Sequence, residues 1–218
     1  MKVKVFALIL AGGRGERFGA PKQVVEVGSK TLLQYSLEAF QSHAGVDEVV
    51  LVIHRDLRKE VLPYMEAYPK LRKIVEGGKT RQESSRRGLF SLEEDGFVLV
   101  HDAARPNLKP ELIDRVIAGL GRAPAVVPVV PVGETLARLE GEVVRDFPPR
   151  KDFFRVQTPQ GFRVSLIKEA HERVSEAGFT DDASLFLSAG MGPVLAVEGD
   201  PSNIKITYPG DLKFLEGT

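Results

Sequence analysis

Short apolar runs alternate with amphipathic segments along most of this 218-residue chain. The runs have the length of buried strands, and the segments between them carry apolar residues at the helical spacings of three and four. Such an alternation predicts an α/β fold with a mostly parallel sheet flanked by helices on both faces. The runs predicted as strands are residues 3–10, 48–53, 73–75, 97–100, 125–130 and 194–197.

Three helices are predicted between these strands. The first begins after Thr31, a residue type favoured at helix N-caps, and the second has Pro110 in its first turn. The second is predicted to end at Gly121 and the third at Gly178, because glycine commonly follows the last turn of a helix. The predicted apolar faces are Leu33, Leu37 and Phe40, then Ile113, Val116, Ile117 and Leu120, and finally Leu166, Ala170 and Val174.

Length and composition limit the classes of function. The length suits one large α/β domain, so a single domain is predicted over residues 1–218. The 30 basic residues balance 30 acidic ones, which argues against binding of nucleic acid or of an anionic membrane. The chain has no cysteine, which excludes disulfides and thiolate chemistry and is compatible with the expected cytoplasmic location. The N-terminal apolar run is interrupted by Lys4 and is shorter than a membrane span of about 20 residues.

A glycine-rich loop, "LILAGGRGERFGAPKQ" at residues 8–23, follows the first predicted strand. Loops at the carboxyl ends of parallel strands bind ligands, and glycines let backbone amides approach phosphate oxygens. The dinucleotide fingerprint fails because Phe18 replaces its last glycine, and the Walker pattern fails in "KIVEGGKT" because Lys73 replaces its first. Arg17 and Lys22 add positive charge, so the loop is predicted to bind a phosphorylated ligand. The alternative is a simple turn whose basic residues are solvated.

The segment "TLARLEGEVVRDFPPR", residues 135–150, breaks the alternation of strands and helices. Two short strand-like runs flank a Glu-Gly pair, and two prolines end the second run, which predicts a protruding β-hairpin arm within residues 133–156. An isolated two-stranded hairpin is marginally stable in water, so we expect the arm to pair with a second subunit in a homodimer. The alternative is a surface excursion without a partner.

Six motifs follow one another along the chain: "LAGGRGERFGAPKQ" (10–23), "GGKTRQESSRRGL" (77–89), "VHDAARP" (100–106), "TPQGF" (158–162), "TDDAS" (180–184) and "NIKIT" (203–207). Together they resemble the 2-C-methyl-D-erythritol 4-phosphate cytidylyltransferase family, from about residue 3 to residue 214. The resemblance implies a Rossmann-like nucleotidyltransferase domain that transfers CMP from CTP to 2-C-methyl-D-erythritol 4-phosphate with Mg²⁺ or another divalent cation. Pyrophosphate would be released and 4-diphosphocytidyl-2-C-methyl-D-erythritol formed, in the non-mevalonate pathway to isoprenoid precursors.

This reaction joins two anions, so it needs positive charge and positioning, and it requires no protein nucleophile. The resemblance implies that Arg17 and Lys22 stabilise charge on the α-phosphate, and that Arg150 and Lys205 position the acceptor. The nucleotide contacts that it implies are Leu10, Ala11, Gly12, Gly13, Gly15, Gly78, Arg81, Ser84 and Ala103. The further acceptor contacts that it implies are Arg105, Thr135 and Thr180, of which the first two would serve the partner's site.

Several of these positions have plainer alternatives. Asp102 is predicted to contact a metal ion or the ribose, yet an aspartate at a strand end often only caps a turn. Ser84 would equally suit a helix N-terminus, and Lys205 a strand edge. Ser202 stands where many relatives of the family carry aspartate, so Asp200 or water would have to replace that group if it helps to bind metal.

Three other activities compete with this hypothesis. A cytidylyltransferase for another polyol phosphate, such as ribitol 5-phosphate, would share the loop and differ in the acceptor pocket. A guanylyltransferase or sugar-1-phosphate nucleotidyltransferase would share "LAGG" but generally lack "HDAARP" and the "NIKIT" pattern. A nucleotide sensor would need no acceptor site. A last helix is expected to follow the "NIKIT" motif, and the chain ends soon after it, so we expect no fused cyclodiphosphate synthase module.

Overall fold

An eight-stranded sheet forms the centre of the protein. The computed structural model describes residues 3–13, 18–19, 21–174 and 178–215. The strands of the main sheet are β1 (Val5–Ala11), β4 (Glu48–Ile53), β5 (Leu71–Glu76), β6 (Phe97–Asp102), β7 (Ala125–Pro131), β10 (Phe154–Val156), β11 (Gln160–Arg163) and β12 (Val194–Glu198). Two small antiparallel pairs lie outside it, formed by β2 (Glu26–Val27) with β3 (Lys30–Thr31) and by β8 (Arg138–Glu140) with β9 (Val143–Asp146).

The order of the main sheet is β10-β7-β11-β6-β1-β4-β5, with β12 also paired to β7. Strands β4, β5 and β6 run parallel to β1 or to its neighbour, and β12 runs parallel to β7. Each run predicted as a strand corresponds to one of β1, β4, β5, β6, β7 and β12. The predicted mostly parallel sheet is therefore confirmed.

Strands β10 and β11 were not predicted, and both pair antiparallel with β7. They are short, and their sequences, FRV and QGFR, mix charged and apolar residues. β11 nevertheless sits inside the sheet between β6 and β7. Gly161 makes this possible, because a Cβ there would lie 2.7 Å from Val116 Cγ1 of the covering helix.

Seven α-helices are present in the described part of the chain: α1 (Leu32–Ser42), α2 (Arg58–Val61), α3 (Tyr64–Ala67), α4 (Arg81–Phe90), α5 (Pro110–Leu120), α6 (Val164–Arg173) and α7 (Asp182–Ser188). The predicted N-cap Thr31 accepts a hydrogen bond from the Gln34 amide, and Gly121 follows α5 as predicted. The prediction that the third helix extends to Gly178 is wrong: α6 ends at Arg173, because the next residue has an extended backbone. Within the described ranges, no helix is both long and apolar enough to cross a membrane.

The first apolar run has no polar residue after position 4 because strand β1 is buried on both faces of the sheet. Its alternate side chains enter two different cores, one on each face of the sheet. Leu8 and Ile9 are fully buried on opposite faces, and burial of such a side chain contributes about 1.5–3 kcal/mol. Helix α4 packs closely on this strand, since a Cβ at Gly88 would lie 2.4 Å from a methyl carbon of Leu8. The tight packing holds α4 against β1.

The predicted hairpin is formed by β8 and β9, which pair antiparallel around Gly141. Gly141 has a φ of +61°, a conformation that glycine adopts without strain. Every residue of both strands is exposed. The hairpin therefore contributes nothing to the cores of this chain.

Candidate active site

A cleft of about 920 Å³ lies at the carboxyl ends of β1, β4, β5 and β6. Its walls are the glycine-rich loop after β1, the loop from β5 into α4, the end of β6 and segment 205–207. The carboxyl ends of parallel strands meet at one edge of a sheet, where open α/β sheets bind their ligands. The fold therefore brings separate motifs of the sequence to one cleft.

The first two loops meet around the hydroxyl of Ser84. Ser84 Oγ donates to the Thr80 carbonyl oxygen over 2.8 Å and accepts from the Gly78 amide over 3.0 Å. A Cβ on Gly12 would lie 3.1 Å from this hydroxyl, and a Cβ on Gly77 would lie 3.2 Å from Gly12 Cα. Both glycines thus allow the two backbones to approach closely, because a side chain at either position would collide with the facing loop.

Lys22 connects the glycine-rich loop with the "NIKIT" motif. It begins a short 3₁₀ turn, and its Nζ donates to the Ile206 carbonyl oxygen over 2.7 Å. The neighbouring Gln23 is buried, and its Nε2 donates to the carbonyl oxygens of Ala11 and Gly13. These bonds hold the backbone on both sides of Gly12. Gln23 therefore links the glycine-rich loop to the turn that begins with Lys22.

Asp102 is the centre of the charge arrangement in the cleft. Its Oδ1 accepts from Arg81 Nε over 3.1 Å, and its Oδ2 accepts from Lys205 Nζ over 2.6 Å. Burial alone would raise the pKa of Asp102, but the charges of Arg81 and Lys205 outweigh it and hold the pKa far below the usual range. The carboxylate is therefore ionised, and Lys205 is held at the wall of the cleft.

A second carboxylate, Asp182, lies behind Arg81 and is almost fully buried. It accepts from Arg81 Nη1 over 2.8 Å and from Ser85 Oγ over 2.6 Å, and His171 Nε2 lies 3.1 Å from its Oδ1. Burial would raise the pKa of Asp182, but Arg81 and the hydrogen bond from His171 bring it to about 2. The guanidinium of Arg81 thus bridges two ionised carboxylates.

His101 fixes the backbone that carries Asp102. Its Nε2 lies 3.1 Å from the Arg105 carbonyl oxygen, which only accepts, so Nε2 carries the proton. Its Nδ1 accepts from Thr158 Oγ1 over 3.0 Å, and this hydroxyl accepts from the Asp102 amide over 3.1 Å. Burial lowers the pKa of His101 to about 4, so the ring is neutral at physiological pH.

The buried neutral His101 predicts a pH dependence of stability. The unfolded chain binds a proton at this histidine below about pH 6.5, whereas the folded protein does so only near pH 4. As the pH increases from about 4 to about 6.5, this histidine should therefore raise the free energy of unfolding by about 3 kcal/mol. Urea denaturation across this pH range should show that the free energy of unfolding increases much less in the His101→Gln variant than in the wild type. Parallel pH profiles for the two proteins would contradict the prediction.

The cleft brings together most of the site residues predicted from the sequence. Those that line it are Leu10, Ala11, Gly12, Gly13, Lys22, Gly78, Arg81, Ser84, Asp102, Ala103, Thr180 and Lys205. Gly15 and Arg17 lie outside the described residues. The cleft thus joins the predicted nucleotide contacts with one member of the predicted acceptor pair.

Three predicted acceptor residues are not among those that line the cleft of this chain. The guanidinium of Arg105 donates to the carbonyl oxygens of Asn203 over 2.8 Å and of Val156 over 3.3 Å. Thr135 is exposed, and Arg150 donates to a backbone carbonyl at the base of the arm. These positions remain predictions.

Several residues at the site were missed from the sequence. Gln23 closes the first motif, and Asp182 lies inside the "TDDAS" motif, so both stood within segments already singled out. His171 carried no such signal, because nothing near it in the sequence suggests a ligand or a catalytic role. The other missed residues that line the cleft are Phe18, His54, Arg55, Glu76, Gly77, Lys79, Thr80, Arg87, Ala104 and Thr207.

Among the described residues that line the cleft, a divalent cation would find two acidic side chains, Glu76 and Asp102. No group of three or more histidine or acidic side chains suited to hold a metal ion occurs among the described residues. Mg²⁺ commonly binds through one or two carboxylates together with substrate phosphates and water. The donor set therefore fits a cation that arrives with a triphosphate, held by Asp102 on the protein side.

Comparisons with known proteins agree with this geometry. The family model described as IspD, 2-C-methyl-D-erythritol 4-phosphate cytidylyltransferase, matches residues 5–217. The enzyme of that name from Cereibacter sphaeroides is 44% identical over 212 residues, covering 94% of this chain and 92% of the relative. The one from Halalkalibacterium halodurans is 39% identical over 215 residues, covering 96% and 94%. The crystal structure of the Thermus thermophilus enzyme superposes with a TM-score of 0.80 at 36% identity, covering 99% of this chain and 98% of that chain.

Proposed function

Since the chain belongs to the 2-C-methyl-D-erythritol 4-phosphate cytidylyltransferase family, we propose that it transfers CMP from CTP to 2-C-methyl-D-erythritol 4-phosphate. A phosphate oxygen of the acceptor attacks the α-phosphorus of CTP, a new P–O bond forms, and the bond to pyrophosphate breaks. The product, 4-diphosphocytidyl-2-C-methyl-D-erythritol, belongs to the non-mevalonate pathway to isoprenoid precursors. A cytoplasmic location, compatible with a chain that has no cysteine, is part of the proposal.

One observation carries the proposal. Two lysines from motifs that lie far apart in the sequence converge on the same cleft, beside the two glycine-containing loops that line it. Lys22 Nζ is bonded to the Ile206 carbonyl oxygen, in the residue that follows Lys205. Because the reaction brings two phosphate groups together, paired cations at that point reduce their repulsion and orient them in line.

The positions of the individual groups support the following roles. Lys22 stabilises the charge that grows on the α-phosphate, and Lys205 holds the phosphate of the acceptor. Main-chain groups around Gly12 and Gly78, set by the Ser84 hydroxyl, contact the nucleotide. Mg²⁺, when bound through the triphosphate and Asp102, supplies further neutralisation of phosphate charge.

A homodimer formed through the arm is part of the proposal. Leu139, Val143, Val144 and Phe147 of the arm are between 46% and 67% exposed, an apolar surface that a second copy would cover. Arg150 lies in the arm, after strand β9, and is absent from the lining of this chain's own cleft. An arm that crosses to the partner would bring this cation to the partner's acceptor site.

The arm proposal predicts an effect of Phe147→Ser on assembly. Burial of this side chain is worth about 1.5–3 kcal/mol and the substitution acts once in each subunit, so the dimer dissociation constant should rise about 100-fold or more. Light scattering over a dilution series gives the mass of the wild type and of the variant. Leu62→Ser is the matched control, because Leu62 is 51% exposed outside the arm. A wild-type protein that is monomeric at all concentrations would contradict the arm proposal.

The activity is tested by release of pyrophosphate with CTP, Mg²⁺ and 2-C-methyl-D-erythritol 4-phosphate. We expect turnover with this acceptor and little with ribitol 5-phosphate. A preference for ribitol 5-phosphate would overturn the proposed acceptor, and faster turnover with GTP than with CTP would overturn the proposed nucleotide. Binding of CTP without turnover of either acceptor would indicate a sensor.

A further inference from the structure

A buried polar cluster lies behind the cleft and takes no part in the mechanism described above. Asp182, the first residue of α7, is 1% exposed, and His171 of α6 is 4% exposed. Ser85 of α4 is fully buried beside them. Three helices on one face of the sheet therefore contribute polar side chains to a single point in the core.

The cluster reaches the cleft through one side chain. Asp182 Oδ2 accepts from Arg81 Nη1 over 2.8 Å, while Arg81 Nε donates to Asp102 Oδ1 over 3.1 Å. Asp102 Oδ2 in turn accepts from Lys205 Nζ over 2.6 Å. The four groups alternate in charge, from the buried carboxylate to the lysine at the wall of the cleft. Because the guanidinium is planar and rigid, its orientation at one carboxylate sets its position at the other.

We propose that Asp182 and His171 are positioning residues, which act through Arg81 to hold the Asp102–Lys205 pair on the acceptor side of the cleft. This inference rests on the proposed function. His171 and Ser85 both bond to Asp182 Oδ1, which leaves Oδ2 directed at Arg81. The cluster therefore fixes the orientation of the buried carboxylate as well as its charge.

Stability alone gives little reason for such a cluster in the core. Well-packed apolar residues of similar volume often stabilise a protein as much as a buried ion pair does. His171 Nδ1 and Arg81 Nη2 are buried without a hydrogen-bond partner among the described residues, which is a cost to the fold. The cluster lowers the stability of the core, and the chain of contacts that starts from it ends at the cleft. Precise placement of Lys205 therefore explains the cluster better than stability does.

The charge alternation specifies what removal of one member does. Without the charge of Asp182, Arg81 pairs with Asp102 alone and competes more strongly with Lys205 for that carboxylate. Lys205 should then lose its fixed position, whereas Lys22 and the glycine-rich loop keep their own contacts. The effect should therefore fall more heavily on the acceptor than on the nucleotide.

The test is Asp182→Asn, which keeps the shape and removes the charge. We expect the KM for 2-C-methyl-D-erythritol 4-phosphate to rise about 10- to 100-fold, the usual effect of losing a supporting residue, with the KM for CTP changed less than about 3-fold. Asp181→Asn is the matched control, because Asp181 is the neighbouring acid of the same motif and bonds to Gln160 and the Ser184 amide instead of Arg81. Its acceptor KM should match the wild type.

A second variant keeps the test valid if Asp182→Asn does not fold. Ser85→Ala removes a hydrogen bond from Asp182 and keeps every charge, so a smaller rise in the same acceptor KM is expected. Equal changes in the two KM values, or an acceptor KM that stays at the wild-type value in a folded variant, would overturn the inference. A wild-type enzyme that turns over CTP with another acceptor would instead refute the proposed function, so the two failures are distinguishable.

Discussion

Replacing Lys22 by alanine should lower kcat about 100- to 1000-fold, the usual cost of losing one group that stabilises charge in a transition state. Lys22 lies in the cleft at the point where the first motif meets the "NIKIT" motif. Its contribution grows as charge accumulates on the α-phosphate, so kcat should fall more than the KM for CTP rises. Steady-state kinetics with both substrates measures the two effects.

The fold of the Lys22→Ala protein should be unchanged, because this side chain is only partly buried. Circular dichroism and a thermal midpoint close to the wild type would establish that. Lys30→Ala is a suitable control, since Lys30 is a nearby lysine that pairs with Glu38 away from the cleft. Unchanged turnover of the Lys22 variant would remove this residue from the mechanism.

Arg81→Met should reduce the free energy of unfolding by about 3–5 kcal/mol, because it removes the shared counter-charge of two buried carboxylates. Arg81 contacts Asp102 and Asp182 at once, and both carboxyl groups have a lowered pKa that depends on it. Methionine keeps much of the apolar stem and loses the charge. Urea denaturation at neutral pH measures the difference.

Arg86→Met on the same helix is the matched control. The Arg86 guanidinium lies over the exposed ring of Phe90, 4.6 Å from its centroid, and such a surface contact is worth about 0.5–1 kcal/mol. A loss below about 1 kcal/mol for Arg81→Met would show that the two carboxylates do not depend on this arginine.

The parallel part of the fold could be predicted because its signal is local. Strand β1 is buried on both faces, so its residues form one unbroken apolar run. Strands β10 and β11 could not be predicted in this way, since three or four residues of mixed polarity have no distinctive period. Their place in the sheet depends on β6 and β7, which lie far from them in the sequence.

The site residues, too, were predictable where their signal is local and were missed where it is not. The motif residues of the loops and of β6 were predicted because glycines and cations at the ends of strands are visible in the sequence. The bonds of Arg81 to Asp182 and of Lys205 to Asp102 join residues 101 and 103 positions apart, so no local pattern predicts them. His171 contacts Asp182 because α6 packs beside α4 and α7.

The close contact at Gly88 makes packing and chemistry inseparable in this protein. Residue 88 lies two turns of helix, about 10 Å, from Arg81 and has no contact with the cleft. A single methyl group there would collide with side chains of β1 and β4, and a shift of α4 away from the sheet would relieve the collision. Such a shift would carry the bridging guanidinium with it, so a lesion in the hydrophobic interior would look, in kinetic experiments, like damage to the catalytic machinery.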